Sequence, residues 1–316
     1  MRAVPELPDI EDYLAALRPR VVGARLDRLR ITGFSLLKTF DPPLSAIESR
    51  RITDLRRVGK RIVFVFADPT DAPAGADPDD PLFAVLHLMI AGRLRWREAG
   101  AKVPGKIGMA AFDVSDGPSG DGTLLLTEAG TKKRASLHVV RGEAALAEHD
   151  RGGVDPLTID LAGFAEQLQM ENRTLKRALT DPRRFSGIGN AFSDEILHEA
   201  RLSPVKRTRA LTDEELTRLH ETTRTVLADW VARLRAATGE GFPEQVTAFR
   251  PEFAVHGRYG EACPVCGGTV QRIRYADNET NYCPRCQTEG KLLADRSLSR
   301  ILKDDWPKTV DELEGA

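Results

Sequence analysis

The sequence predicts an α+β multidomain protein, and three observations carry that prediction. Short apolar runs separated by turn residues fill the first half of the chain, and amphipathic helical spacing takes over after about residue 157. All four cysteines then stand close together near the end, as Cys263, Cys266, Cys283 and Cys286. At 316 residues the chain is about twice the usual domain length. Its segments read as a helix-flanked β-sandwich over 1–150, a helical domain over 151–250, a metal-stapled β-hairpin over 251–290 and a tail over 291–316.

Composition narrows the function classes. Hydrophobic residues at 41% and charged residues at 29% suit a soluble globular protein and argue against wholesale disorder. No apolar run approaches the roughly 18 residues that span a bilayer, and no signal-peptide pattern opens the chain. The formal charge of −1, from 46 basic and 47 acidic side chains, gives no sign of a uniformly basic nucleic-acid binder.

The first element is a helix. Pro8 suits its first turn, Asp9, Glu11 and Asp12 complement the positive end of its dipole, and Ile10, Tyr13, Leu14 and Leu17 repeat at helical spacing. Beyond Gly23 the pattern turns to strands: Val63 to Phe66, Phe83 to Leu88, and Leu124 to Leu126. Asp68 to Pro81, rich in aspartate and proline and without a basic residue, reads as a solvated loop. Leu161 to Met170 and Arg173 to Leu179 are amphipathic helices, and Asp194 to Ala200 continues after a glycine turn. Thr212 and Glu215 form a capping box before a long helix that runs to about Ala237. Val270 to Tyr275 alternate, Asp277 and Asn278 supply a turn, and Thr280 to Tyr282 return to Cys283.

The two C-x2-C pairs, 16 residues apart, have the spacing of a four-thiolate zinc site. Each pair forms one knuckle and the two close a tetrahedron, so one structural Zn2+ per chain is expected, with no coordination position left open. A secreted, disulfide-stapled protein would spread its cysteines along the chain.

Charge is unevenly distributed. Arg50, Arg51, Arg56, Arg57, Lys60 and Arg61 face one acid, Asp54, and residues 172–210 are again strongly basic. Phosphate binding needs local positive charge, and these clusters, with Arg272, Arg274 and Arg285 on the hairpin, point to a basic cleft between domains. The turn Gly187-Ile188-Gly189-Asn190 adds backbone that can approach an anion closely and a side-chain donor.

Pro5-Glu6-Leu7-Pro8, Gly59-Lys60, His87-Leu88, Gly187-Ile188-Gly189-Asn190 and the hairpin from Cys263 to Gln287, in that order, resemble the formamidopyrimidine-DNA glycosylase and endonuclease VIII family of base-excision repair enzymes. The resemblance spans about residues 5 to 290. It implies a β-sandwich catalytic domain, a helix-two-turn-helix DNA-binding domain and a zinc finger. It also implies a monomeric DNA glycosylase and abasic-site lyase of the bacterial cytoplasm and nucleoid, acting on double-stranded DNA with a damaged base or abasic site and not on membranes.

In such enzymes the mature chain begins at the proline, whose secondary amine attacks C1′ of the flipped nucleotide. An α-amine of pKa about 7.7 to 8 is partly neutral near pH 7. The resemblance makes Pro5 the nucleophile and Glu6 the proton donor and acceptor at the sugar. Lys60 and Asn190, beside Gly189, would grip phosphates, with Arg258 as a helper. Lys132, Lys133 and Arg134 would form the DNA-facing wedge loop.

Three departures from the family pattern stand out. Met1-Arg2-Ala3-Val4 precede Pro5 and make its nitrogen an amide; initiation at Val4 from a GTG codon, followed by its removal, would free it. Ile90 takes the place of a space-filling methionine, and the loop Gly130 to Arg134 has no aromatic residue. Asn278 stands at the hairpin tip where an arginine is usual. The alternative reading is a catalytically impaired, lesion- or structure-specific DNA-binding protein of the same fold. A zinc-ribbon interaction module on an unrelated β domain is a third.

Overall fold

Pro8 lies in the first turn of α1 (Leu7–Val21), whose apolar face, with Ile10, Tyr13, Leu14 and Leu17, is buried. The computed structural model describes residues 4–66, 81–244, 246–247, 250–275, 278–295 and 307–314. All of the acidic loop expected at Asp68 to Pro81 except Pro81 falls outside the described residues, as do the hairpin-turn residue Asp277 and half of the tail, 296–306 and 315–316. Packing divides the chain into two units: Met1–Arg151 with Trp230–Thr247, and Gly152–Asp229 with Ala248–Ala316.

The first unit is a β-sandwich. Its strands are β1 (Arg25–Ile31), β2 (Ile52–Val58), β3 (Arg61–Phe66), β4 (Leu82–His87), β5 (Gly92–Arg97), β6 (Gly108–Ser115), β7 (Gly122–Glu128) and β8 (Ser136–Arg141). They form two antiparallel four-stranded sheets, ordered β1-β6-β7-β5 and β2-β3-β4-β8. Alternation sends Ile62, Phe64, Phe66, Ala84 and Leu86 into the shared core. There Phe64 of β3 stacks on Phe112 of β6 with ring centroids 5.5 Å apart. The opposite face of β3 and β4, with Val63, Val65, Phe83 and Val85, is covered by Leu146 of the short helix α2 (Gly142–Ala147). These strands are apolar on both faces, which is why they read as continuous runs in the sequence.

The second unit carries α3 (Leu161–Gln169), α4 (Leu175–Leu179) and α5 (Asn190–Glu199). The long helix α6 (Asp213–Thr238) begins in this unit, and its last turns, from Trp230, belong to the first. Its capping box forms as expected: Thr212 N–H donates to Glu215 Oε2 at 3.0 Å, and Glu215 N–H to Thr212 Oγ1 at 3.2 Å. Strands β9 (Gln271–Arg274) and β10 (Glu279–Tyr282) make the hairpin, followed by one helical turn, α7 (Pro284–Gln287). Among the described residues no helix is long and apolar enough to cross a membrane.

Replacing Phe64 by Ala should cost about 3 to 5 kcal/mol of stability, since it empties the ring's volume and strands Phe112. Thr212→Ala, which removes one cap bond, should cost only about 1 kcal/mol. Urea unfolding of the two variants checks both the size and the order of the losses.

Candidate functional site

In the first unit the site begins at the α1 cap. Glu6 N–H donates to Asp9 Oδ2 at 2.8 Å, and the Glu6 carboxylate accepts in return from the Asp9 backbone. Pro5 and Glu6 are both buried. The helix behind them is clamped: Glu11 pairs with Arg57 at 2.8 Å and with Arg235 at 3.2 Å. Asp12 accepts from the Thr238 hydroxyl at 2.9 Å, and the Tyr13 hydroxyl accepts from Leu94 N–H at 3.3 Å. Pro5 therefore sits on a fixed base. With Val4 attached, its nitrogen is a planar amide whose lone pair is delocalised.

Lys60 occupies the turn between β2 and β3, which Gly59 enters with a φ of +61° that favours glycine. Across the β3–β4 pairing, Arg61 faces His87. Burial, reinforced by the charges of Arg61 and Lys60, pulls the His87 imidazole down to about 4. The neutral ring accepts Met89 N–H at Nδ1, 2.9 Å away. Met89 has a φ of +52°, and Ile90 beside it is half-buried. The loop expected to face DNA is anchored by buried Glu128, whose carboxylate accepts from Arg134 N–H (2.9 and 3.0 Å) and Ala135 N–H (3.1 Å). Lys133 Nζ bonds the Glu128 carbonyl, while Lys132 and Arg134 are exposed.

In the second unit the glycine turn leads into α5. Gly187 has a φ of +87°, Gly189 is the helix cap, and Asn190 Nδ2 donates to the Glu279 carbonyl of β10 at 2.8 Å. Buried Lys176 reaches the Asn190 carbonyl at 2.6 Å and Asp194 Oδ1 at 2.5 Å. Asp194 Oδ2 lies 2.8 Å from His256 Nδ1. Next to it, Glu195 accepts backbone N–H groups from Ala254, Val255 and His256 at 2.7 to 3.0 Å. Burial pushes the Glu195 carboxyl up, and those three donors oppose the shift. Two residues further on, Arg258 is held by Glu261 at 2.8 Å and by the Phe253 carbonyl at 2.9 Å. Asn190, Gly189 and the segment bearing Arg258 are thus tied to one helix. The sequence reading missed Lys176, Asp194, Glu195 and His256, although charged residues interrupting apolar stretches at 176 and 194–195 were a usable signal.

A cavity of about 910 Å³ in the same unit is lined by Arg173, Arg177, Arg183, Arg207, Asp181 and Tyr275. The hydrogen bond from Arg183, offset in part by desolvation, holds the Asp181 carboxyl down at about 2. The pocket is a local concentration of positive charge in a chain of net charge −1.

The cysteines converge. Sγ of Cys266 is 3.4 Å from that of Cys283, and Sγ of Cys263 is 3.9 Å from that of Cys286. A tetrahedral ion with Zn–S bonds of about 2.3 Å requires sulfur–sulfur separations of about 3.8 Å, so the four thiols fit a structural zinc. His198 of α5 stands beside them, its Nε2 3.3 Å from Cys263 Sγ.

The chain matches three family models: the formamidopyrimidine-DNA glycosylase N-terminal domain over 4–129, the formamidopyrimidine-DNA glycosylase H2TH domain over 153–239, and a zinc finger found in FPG and IleRS over 260–288. It is 31% identical to a formamidopyrimidine-DNA glycosylase of Heliobacterium modesticaldum, covering 90% of this chain and all of that one. The corresponding enzyme of Thermus thermophilus is 32% identical, over 91% and 100% of the two chains. A formamidopyrimidine-DNA glycosylase-like protein of Mycobacterium tuberculosis is 45% identical over 150 residues, 48% of this chain and 91% of its own length. In fold, the chain is similar to the Lactococcus lactis Fpg solved with abasic-site DNA, with a TM-score of 0.73, 23% identity and coverage of 90% and 99%.

Asp194→Asn leaves Lys176 buried without its counter-charge and should cost about 3 to 5 kcal/mol, measured by urea unfolding. A pH effect comes from His87. Its folded pKa lies below the unfolded value, so its contribution to stability is present above about pH 6.5 and is lost as the unfolded chain takes up the proton below that. Stability should fall by about 2 kcal/mol between pH 7 and 5 from this group alone. A urea series should show that loss shrinking in His87→Gln.

Proposed function

The chain belongs to the formamidopyrimidine-DNA glycosylase family, and on that premise we propose that this base-excision-repair DNA glycosylase excises damaged bases through a Schiff base at Pro5 and then cuts the strand. One observation carries the mechanism: Pro5 and Glu6 stand together, buried, at the capped and clamped start of α1.

Freed of Val4, the Pro5 nitrogen attacks C1′ of the extruded nucleotide. The N–C1′ bond forms as the glycosidic bond breaks, and the base leaves with the bonding pair and takes a proton. The ring C1′–O4′ bond then breaks as O4′ takes a proton, and the iminium this leaves at C1′ acidifies C2′. Loss of that proton expels the 3′ phosphate, and a second elimination expels the 5′ phosphate. Glu6 carries protons to and from the sugar, since its carboxyl adjoins the nucleophile in sequence and is fixed by the helix cap. Lys60 on its glycine turn, and Asn190 with Gly189 at the head of α5, grip phosphates of the damaged strand. Arg258 adds a further contact, and Lys132, Lys133 and Arg134 present a cationic loop to the duplex. A zinc ion held by Cys263, Cys266, Cys283 and Cys286 would supply no chemistry at the sugar and would brace the hairpin whose Glu279 carbonyl accepts from Asn190. The substrate is double-stranded DNA carrying a damaged base or abasic site, read by a monomer on nucleoid DNA.

The amide at Pro5 favours a second reading of the chain as it stands. With Val4 attached, the same surfaces bind damaged DNA and do not cut it.

Borohydride trapping on abasic-site duplex separates these states. A chain released to begin at Pro5 should give a covalent adduct that is lost in Pro5→Gly, and the chain retaining Val4 should bind without one. Glu6→Gln should slow base excision by about 10²- to 10⁴-fold with DNA affinity kept. An equal adduct yield with Val4 in place would move the nucleophile elsewhere.

A further inference from the structure

We propose that the metal centre has two overlapping donor sets: the four thiolates, and an alternative set in which His198 Nε2 replaces Cys266 so that the ion survives loss of that thiolate. The four cysteines are not equally protected. Cys263 and Cys283 are buried and Cys286 is half-buried, whereas Cys266 is exposed, the thiolate within reach of oxidants and competing metals.

His198 is 3% exposed and stands at the C-terminal end of α5. Its Nε2 lies 3.3 Å from Cys263 Sγ. In a tetrahedral site with Zn–N of about 2.0 Å and Zn–S of about 2.3 Å, an N···S edge measures about 3.5 Å, so the imidazole already stands at ligand-to-ligand distance. The donor atoms of His198, Cys263, Cys283 and Cys286 all lie within 4.8 Å of one another, which is a three-cysteine, one-histidine set in its own right. Three-cysteine, one-histidine coordination is an ordinary structural zinc site. A small inward shift of the ion, away from the exposed knuckle and toward α5, exchanges one set for the other without unfolding the hairpin. While Cys266 is a ligand, the same imidazole nitrogen is close enough to serve as a hydrogen-bond donor to the Cys263 thiolate. The exchange also links the ion directly to α5, the helix that bears Asn190 and Glu195.

The test is metal binding by the full-length chain, loaded with Co(II) or zinc and read without reference to DNA. Cys266→Ser should keep one tetrahedral Co(II), with weaker thiolate-to-metal charge transfer and affinity lowered by no more than about tenfold in chelator competition. His198→Phe and His198→Gln, of which the second keeps a polar side chain should the first fold poorly, should each retain the wild-type four-thiolate spectrum. Combining either with Cys266→Ser should weaken metal binding by a further ~100-fold. The proposal is overturned if Cys266→Ser loses its metal as fully as the double variants do. It is equally overturned if the double variants hold the metal as well as Cys266→Ser, or if both His198 single variants lose the wild-type spectrum.

Discussion

The first unit depends on how the start of α1 is held, because the function we propose makes the nitrogen of the proline in front of it a nucleophile once that nitrogen is no longer a chain amide. The capping box between Glu6 and Asp9 fixes where the helix begins. A cap of this kind contributes only about 0.5 to 2 kcal/mol, too little to hold a buried terminus alone. The clamp comes from further along: Glu11 between Arg57 and Arg235, Asp12 on Thr238 and Tyr13 on Leu94 fasten α1 to β2, to the end of α6 and to β5. A reactive group gains from that rigidity, since orientation is what converts a modest amine into an effective nucleophile.

The second unit solves a related problem with buried charge. Lys176, Asp194 and His256 form a chain of contacts across α4, α5 and the segment before the zinc hairpin, and Glu195 gathers three backbone donors from that segment. Such a network is costly to desolvate and is destabilising if any member is lost, so its gain lies in geometry more than in net stability. It fixes the head of α5, with Gly189 and Asn190, relative to Arg258. The metal adds a second fastening, because Asn190 bonds the hairpin strand that runs into Cys283.

Much of this was legible in the sequence, for identifiable reasons. Period-3.6 spacing at Ile10, Tyr13, Leu14 and Leu17, the Thr212–Glu215 capping box and the paired C-x2-C knuckles are local signals, and the elements they predict are present. Helix α5 begins at Asn190 and not at Asp194, because the glycine turn ends directly in a helix cap that spacing of apolar residues does not mark. The contacts of His198 with Cys263 and of Asp194 with His256 join residues more than sixty positions apart, so neither leaves a pattern in a single sequence. The −1 net charge was the least informative number: it averages an arginine-lined pocket in the second unit with acid placed elsewhere.

The central claim, that Pro5 acts as a free amine, is tested most directly by reducing the protein onto abasic-site DNA with borohydride, digesting the adduct and locating the sugar remnant by mass spectrometry, using protein purified with its native terminus. The expected result is a mature chain that begins at Pro5 and a remnant on the Pro5 nitrogen. A remnant on a lysine such as Lys60, or an adduct on chains that still carry Val4, would contradict it.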